Sequence, residues 1–95
     1  MATIASGKVV EIGDGGNLVT DIDLAKVAAA VGNEETKVEF GGHETVGLFE
    51  ENHGQPEGTM VASVGASGAV EIEIVGMSLG SMLGIGVNTE VKVQW

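Results

Sequence analysis

The sequence predicts a mainly β protein: a small antiparallel β-barrel of about seven strands with one or two short helices, with residues 1–95 forming a single domain. Three observations carry this. Several short runs alternate apolar and polar residues with a period of two. Glycine-bearing turns separate them at close spacing, as in small barrels. One segment alone shows a clear helical period. A closed barrel also removes the exposed edges that such a sheet must otherwise protect.

The first strand is Gly7 to Ile12, and the turn Gly13-Asp14-Gly15-Gly16 leads to a second at Asn17 to Thr20. Leu24, Val27, Ala28 and Val31 then fall at i, i+3, i+4 and i+7, the spacing of a helix face. Asp21 or Asp23 is placed to cap this helix, and Gly32 stands where a left-handed residue ends one. Thr36 to Phe40 alternates and meets Gly41-Gly42, a hairpin signal because two-residue turns need positive φ. The return strand is His43 to Phe49. Thr59 to Val64 is the fifth strand and Ala69 to Ile74 the sixth, with Val70, Ile72 and Ile74 on one face and Glu71 and Glu73 on the other, solvated face. A second helical turn runs from Ser78 to about Leu83 and ends at Gly84; Thr89 to Gln94 closes the fold.

Composition narrows the function. The chain has 14 acidic residues against four lysines, no arginine, and a net charge of −10. Cations are needed to displace counterions from phosphates, so nucleic acid is not an expected partner, nor is an anionic membrane. With no cysteine, thiolate chemistry, disulfides and zinc–thiolate sites are excluded. Met1 to Gly7 has neither a basic nor an apolar region of a signal peptide. The uncharged run from Ile74 to Thr89 falls short of the about 20 residues of a membrane span. The expected location is cytoplasmic. Aromatics are limited to Phe40, Phe49 and Trp95, so the core must be aliphatic.

No motif assembles an active site. The glycine-dense loop before Asn17 precedes a strand and has no lysine, so it reads as a tight turn and not a phosphate cradle. Asp14, Asp21 and Asp23 lack the spacing of a calcium loop, and no metal is expected. His43 and His53 read as strand and loop histidines, and nothing places a histidine beside Ser67. Gly76, Gly80 and Gly84 are spaced for close packing of a turn against the barrel.

Three signatures, in order, resemble the C-terminal domain of the S-adenosylmethionine hydroxide adenosyltransferases, the family that also includes fluorinases and chlorinases. They are Gly7 to Ile12 followed by Gly16-Asn17-Leu18-Val19-Thr20-Asp21-Ile22; Val38-Glu39-Phe40-Gly41-Gly42; and Val64-Gly65-Ala66-Ser67-Gly68-Ala69-Val70-Glu71-Ile72. Ser78, Met82-Leu83-Gly84 and Val91 to Val93 extend the match over nearly the whole chain. The resemblance implies a barrel that closes an S-adenosylmethionine site against the N-terminal domain of a neighbouring subunit in a trimer, while that other domain supplies the reacting groups. It implies that Asn17 reads the adenine edge, Phe49 stacks on adenine, and Ser67 approaches the methionine end. Gly13 and Gly15 stand where the family has an aspartate and a phenylalanine, and Ala69 replaces a common aromatic. A stack lost there removes about 0.5–1.5 kcal/mol beyond its area.

The expectation is therefore a stand-alone, non-catalytic relative: a binding or interaction module, homo-oligomeric with a trimer favoured. It has no catalytic residue, no metal and no resident cofactor; S-adenosylmethionine or adenosine is the ligand to test. The alternative is the ligand-closing subunit of a split S-adenosylmethionine-dependent enzyme whose catalytic domain is a separate chain.

Overall fold

A computed structural model of the protein describes residues 3–50, 53–65 and 67–95. Met1 and Ala2 of the N-terminal segment, Asn52 of the polar loop and Ala66 of the third signature lie outside the described residues. The described residues form eight strands and two short helices: β1 (Ile4–Ile12), β2 (Leu18–Asp23), α1 (Leu24–Val27), β3 (Lys37–Phe40), β4 (His43–Val46), β5 (Leu48–Glu50), β6 (Met60–Val64), β7 (Ala69–Ile74), α2 (Leu79–Leu83) and β8 (Glu90–Gln94). Hydrogen bonding orders the strands β4-β3-β8-β1-β2-β7-β6-β5. The two ends of that order, β4 and β5, are joined in sequence by Gly47 alone. The sheet thus curls into a nearly closed barrel.

Two details differ from the sequence reading. The expected strand His43 to Phe49 is interrupted at Gly47, whose N–H donates to the Thr36 carbonyl and not to a ladder partner. Its second half, β5, then pairs with β6 in parallel, Leu48 opposite Ala62 and Phe49 opposite Ser63, so the barrel is not purely antiparallel. The expected helix face is also shorter than its period. α1 is a single turn that buries Val27 and leaves Leu24 and Ala28 exposed. The chain then tightens, Ala30 N–H donating to Val27 O, and Gly32 at φ 81 passes it to the Leu48 carbonyl. Asp23 is the cap, accepting from Ala25 N–H; Asp21 instead accepts from the Lys8 amide.

Other local readings hold. Gly41 and Gly42 have φ of 51° and 85° and close a two-residue hairpin in which Phe40 opposes His43. Ser78 caps α2 by accepting from Ser81 N–H, and Gly84 ends it in the left-handed region. The core is aliphatic around one ring: Val9, Leu18, Ile22, Val38, Phe40, Leu48, Val70, Ile72, Val91 and Val93 are fully buried or nearly so. On β7, Val70, Ile72 and Ile74 point inward, as their alternation requires.

Candidate functional site

The outer face of β6 and β7 holds the expected site residues. Because Val70, Ile72 and Ile74 fill the core, Glu71 and Glu73 must project outward. Neither is simply solvated: both are half-buried and each holds a partner. Glu71 accepts through Oε1 from Asn17 Nδ2 at 2.9 Å and through Oε2 from Ser67 Oγ at 2.7 Å. One carboxylate therefore gathers two of the three residues singled out from the sequence. The third, Phe49, opposes Ser63 on β6, and Ser63 opposes Glu71 on β7. Phe49 stands two strands from Glu71 along the same row, about 10 Å at the usual strand spacing.

A second pair lies one row along. Glu73 Oε1 is 3.0 Å from His53 Nε2. His53 Nδ1 accepts from the Gln55 amide at 3.0 Å. An Nδ1 that accepts carries no proton, so the neutral ring bears its hydrogen on Nε2 and donates it to Glu73. The His53 and Phe49 rings are 6.5 Å apart at an interplanar angle of 57°. Val61 and Ser63, on the outward-facing rows of β6, are buried.

The glycine turn supplies the adjoining wall. Gly16 N–H donates to Gly13 O and Gly13 N–H to Asn17 O, a closed turn with no phosphate-cradling helix behind it. Gly16 O accepts from Gly80 N–H at 3.0 Å, which docks the turn on α2. Between this turn and the end of β7 is a cavity of about 340 Å³, lined by Asp14, Asn17, Glu73, Met77 and Ser78 among others. A larger depression of about 510 Å³ lies at the β3–β4 hairpin tip. It contains none of Asn17, Phe49 or Ser67, and its walls are Glu39, Glu44 and Glu90 with His43 and Lys92 on an exposed hairpin. Of the three expected residues, Asn17 lines the smaller cavity, together with Glu73.

Ser67 donates to the Glu71 carboxylate, and no histidine ring stands against its Oγ among the described residues. His53 is committed to Glu73 and Gln55. Among the described residues no three His, Cys, Asp or Glu side chains gather as metal ligands. Among the described residues no helix is long and apolar enough to cross a membrane. The sequence reading missed Glu71, Glu73 and His53 as parts of this wall. Their alternation places the two glutamates on one face, but no local signal ties Glu71 to Asn17, 54 residues earlier.

Comparison with known proteins agrees with the fold. No curated protein matches the chain. Among solved structures, an uncharacterized conserved protein from Thermotoga maritima superposes with a TM-score of 0.78 at 17% identity, over 95% of this chain and 35% of its own. A conserved hypothetical protein from Thermus thermophilus superposes with a TM-score of 0.72 at 27% identity, over 93% of this chain and 34% of its own. The chain thus spans about a third of the length of these two proteins. The family model for the SAM hydroxide adenosyltransferase C-terminal domain matches residues 7–92, and by that match this chain belongs to the family of SAM hydroxide adenosyltransferase C-terminal domains.

Proposed function

We propose that this chain is a non-catalytic binding module whose outer β6–β7 wall closes over an adenosine-type ligand, with S-adenosylmethionine the larger molecule of that class. The observation that supports it is the shared carboxylate of Glu71, which holds Asn17 and Ser67 while Asn17 lines the adjacent cavity. An amide that keeps one donor and one acceptor for a ligand suits an adenine edge. Phe49, on the same face, supplies the stacking surface. Reacting groups come from elsewhere, in another domain or a separate chain.

The test is a thermal-shift titration of the protein with adenosine, S-adenosylmethionine and methionine, alongside Asn17→Ala. Binding to the folded state alone stabilises by about 2.7 kcal/mol at a hundredfold excess over Kd. The expected result is a rise in Tm with adenosine that Asn17→Ala abolishes. No shift with any of the three ligands would sink the binding reading; a full shift in Asn17→Ala would sink the role of Asn17.

A second reading, assembly, draws on a different surface. Met77, just before α2, and Met82, within it, are 48% and 59% exposed, and Ile12, packed under Gly80 of that helix, is 37% exposed. A homo-oligomer, with a trimer favoured, would cover them. Sedimentation of the wild type against Met82→Glu checks it: a wild-type monomer discards the idea.

A further inference from the structure

We propose that Glu71 is a positioning residue that fixes which way the Asn17 amide faces and thereby makes the site select 6-aminopurines over 6-oxopurines. The proposal rests on the adenosine-binding reading above and adds to it the source of base selectivity.

An ionised carboxylate only accepts hydrogen bonds. Glu71 Oε1, 2.9 Å from the Asn17 amide, therefore requires the NH₂ group on that side and the carbonyl on the other. Glu71 is itself held, because its Oε2 takes the Ser67 hydroxyl at 2.7 Å. Among the described residues no donor reaches Asn17 Oδ1. One Nδ2 hydrogen also stays available, since an NH₂ group has two. The fixed amide thus offers one acceptor and one donor in a plane. On its Watson–Crick edge adenine matches it with its 6-amino hydrogen and N1. Hypoxanthine puts O6 against Oδ1 and N1–H against Nδ2–H, acceptor against acceptor and donor against donor. To bind it, the amide must turn over, lose its bond to Glu71 and face its carbonyl to the carboxylate.

Two glycines serve as seats for this pair. Neither Gly13 nor Gly65 has the positive φ that would require glycine for the backbone. Each instead lacks a side chain where the pair needs room. A Cβ on Gly13 would stand 2.9 Å from Asn17 Cγ and overlap Oδ1. A Cβ on Gly65 would stand 2.9 Å from Glu71 Oε1 and overlap the rest of that carboxylate. The obstructed atoms at Gly65 are the end of a flexible side chain, so Gly65→Ala moves the carboxylate and leaves the barrel intact.

The experiment measures Kd for adenosine and inosine on the full chain by isothermal titration, for wild type, Glu71→Gln and Gly65→Ala, with thermal melts to confirm folding. Wild type is expected to prefer adenosine about tenfold or more. In Glu71→Gln, the new amide accepts from or donates to Asn17 equally well, so both faces are offered and the preference falls toward unity. Gly65→Ala does the same with a different change. The Asn17 side-chain NH₂ resonances give a ligand-free readout, shifting in both variants. If wild type binds adenosine through Asn17 but the preference survives both variants, the positioning role is overturned and the binding reading stands. If the NH₂ resonances do not respond to either variant, the Glu71 contact is not made and the proposal fails. If wild type binds neither nucleoside, both fall together.

Discussion

Gly16 and Gly42 form a matched pair for separating backbone strain from close packing. Both are left-handed, with φ of 79° and 85°. A Cβ on Gly42 would meet nothing within 4 Å. A Cβ on Gly16 would lie 2.6 Å from the Cα of Ser78, the residue that caps α2, and overlap that side chain. Gly42→Ala therefore carries the conformational term alone, about 1–2 kcal/mol. Gly16→Ala carries that term, a forced shift of the Ser78 backbone worth about 1–3 kcal/mol, and weakening of the bond from Gly80 N–H to Gly16 O, about 1 kcal/mol. The whole comes to about 3–6 kcal/mol, against about 5–14 kcal/mol of stability expected for a domain of this size. Urea denaturation followed by circular dichroism reads the difference as a fall in midpoint at constant m. Ser78→Gly added to Gly16→Ala recovers only part of the loss, because the Cα remains in the way. Equal midpoints for Gly16→Ala and Gly42→Ala would refute the claim that contact with α2 is what demands glycine at 16.

The remaining predictions use the same kind of comparison. Thr45 Oγ1 is a buried hydroxyl without a partner among the described residues, so Thr45→Val is expected to raise stability by about 1 kcal/mol. The same swap at Thr20 lowers it by about 1–3 kcal/mol, because its Oγ1 donates to Val70 O at 2.7 Å and accepts from Ile22 N–H at 3.2 Å; denaturation midpoints of the two variants must move in opposite directions. His53→Ala frees the Gln55 amide and the Glu73 carboxylate, so hydrogen exchange at Gln55 speeds up while amides in β3 and β8 keep their protection. Unchanged exchange at Gln55 would mean that His53 does not hold its loop.

Much of the fold was legible because it depends on neighbours in sequence. Alternation in Ala69 to Ile74 dictated which residues face the core, and the structure buries Val70, Ile72 and Ile74. The paired glycines at 41 and 42 dictated a hairpin. Ser78 and Gly84 bounded α2 as capping chemistry requires. The helical period from Leu24 to Val31 misled, because periodicity reports what a face could bury and not how much room the barrel leaves for it. Only Val27 and Ala30 of that segment reach full burial.

The sequence by itself determined a small aliphatic β-barrel with two helical turns, and its signatures placed Asn17, Phe49 and Ser67 within one family pattern. These follow from backbone sterics, side-chain alternation and the order of local motifs. Only the tertiary structure decided that β4 and β5 part at Gly47 so that the second half can pair in parallel with β6. It alone brought Asn17 and Ser67 to the two oxygens of Glu71 and seated Asn17 over Gly13 and Glu71 over Gly65. Those contacts join residues on separate strands, and their geometry depends on barrel closure and register, which no single segment encodes.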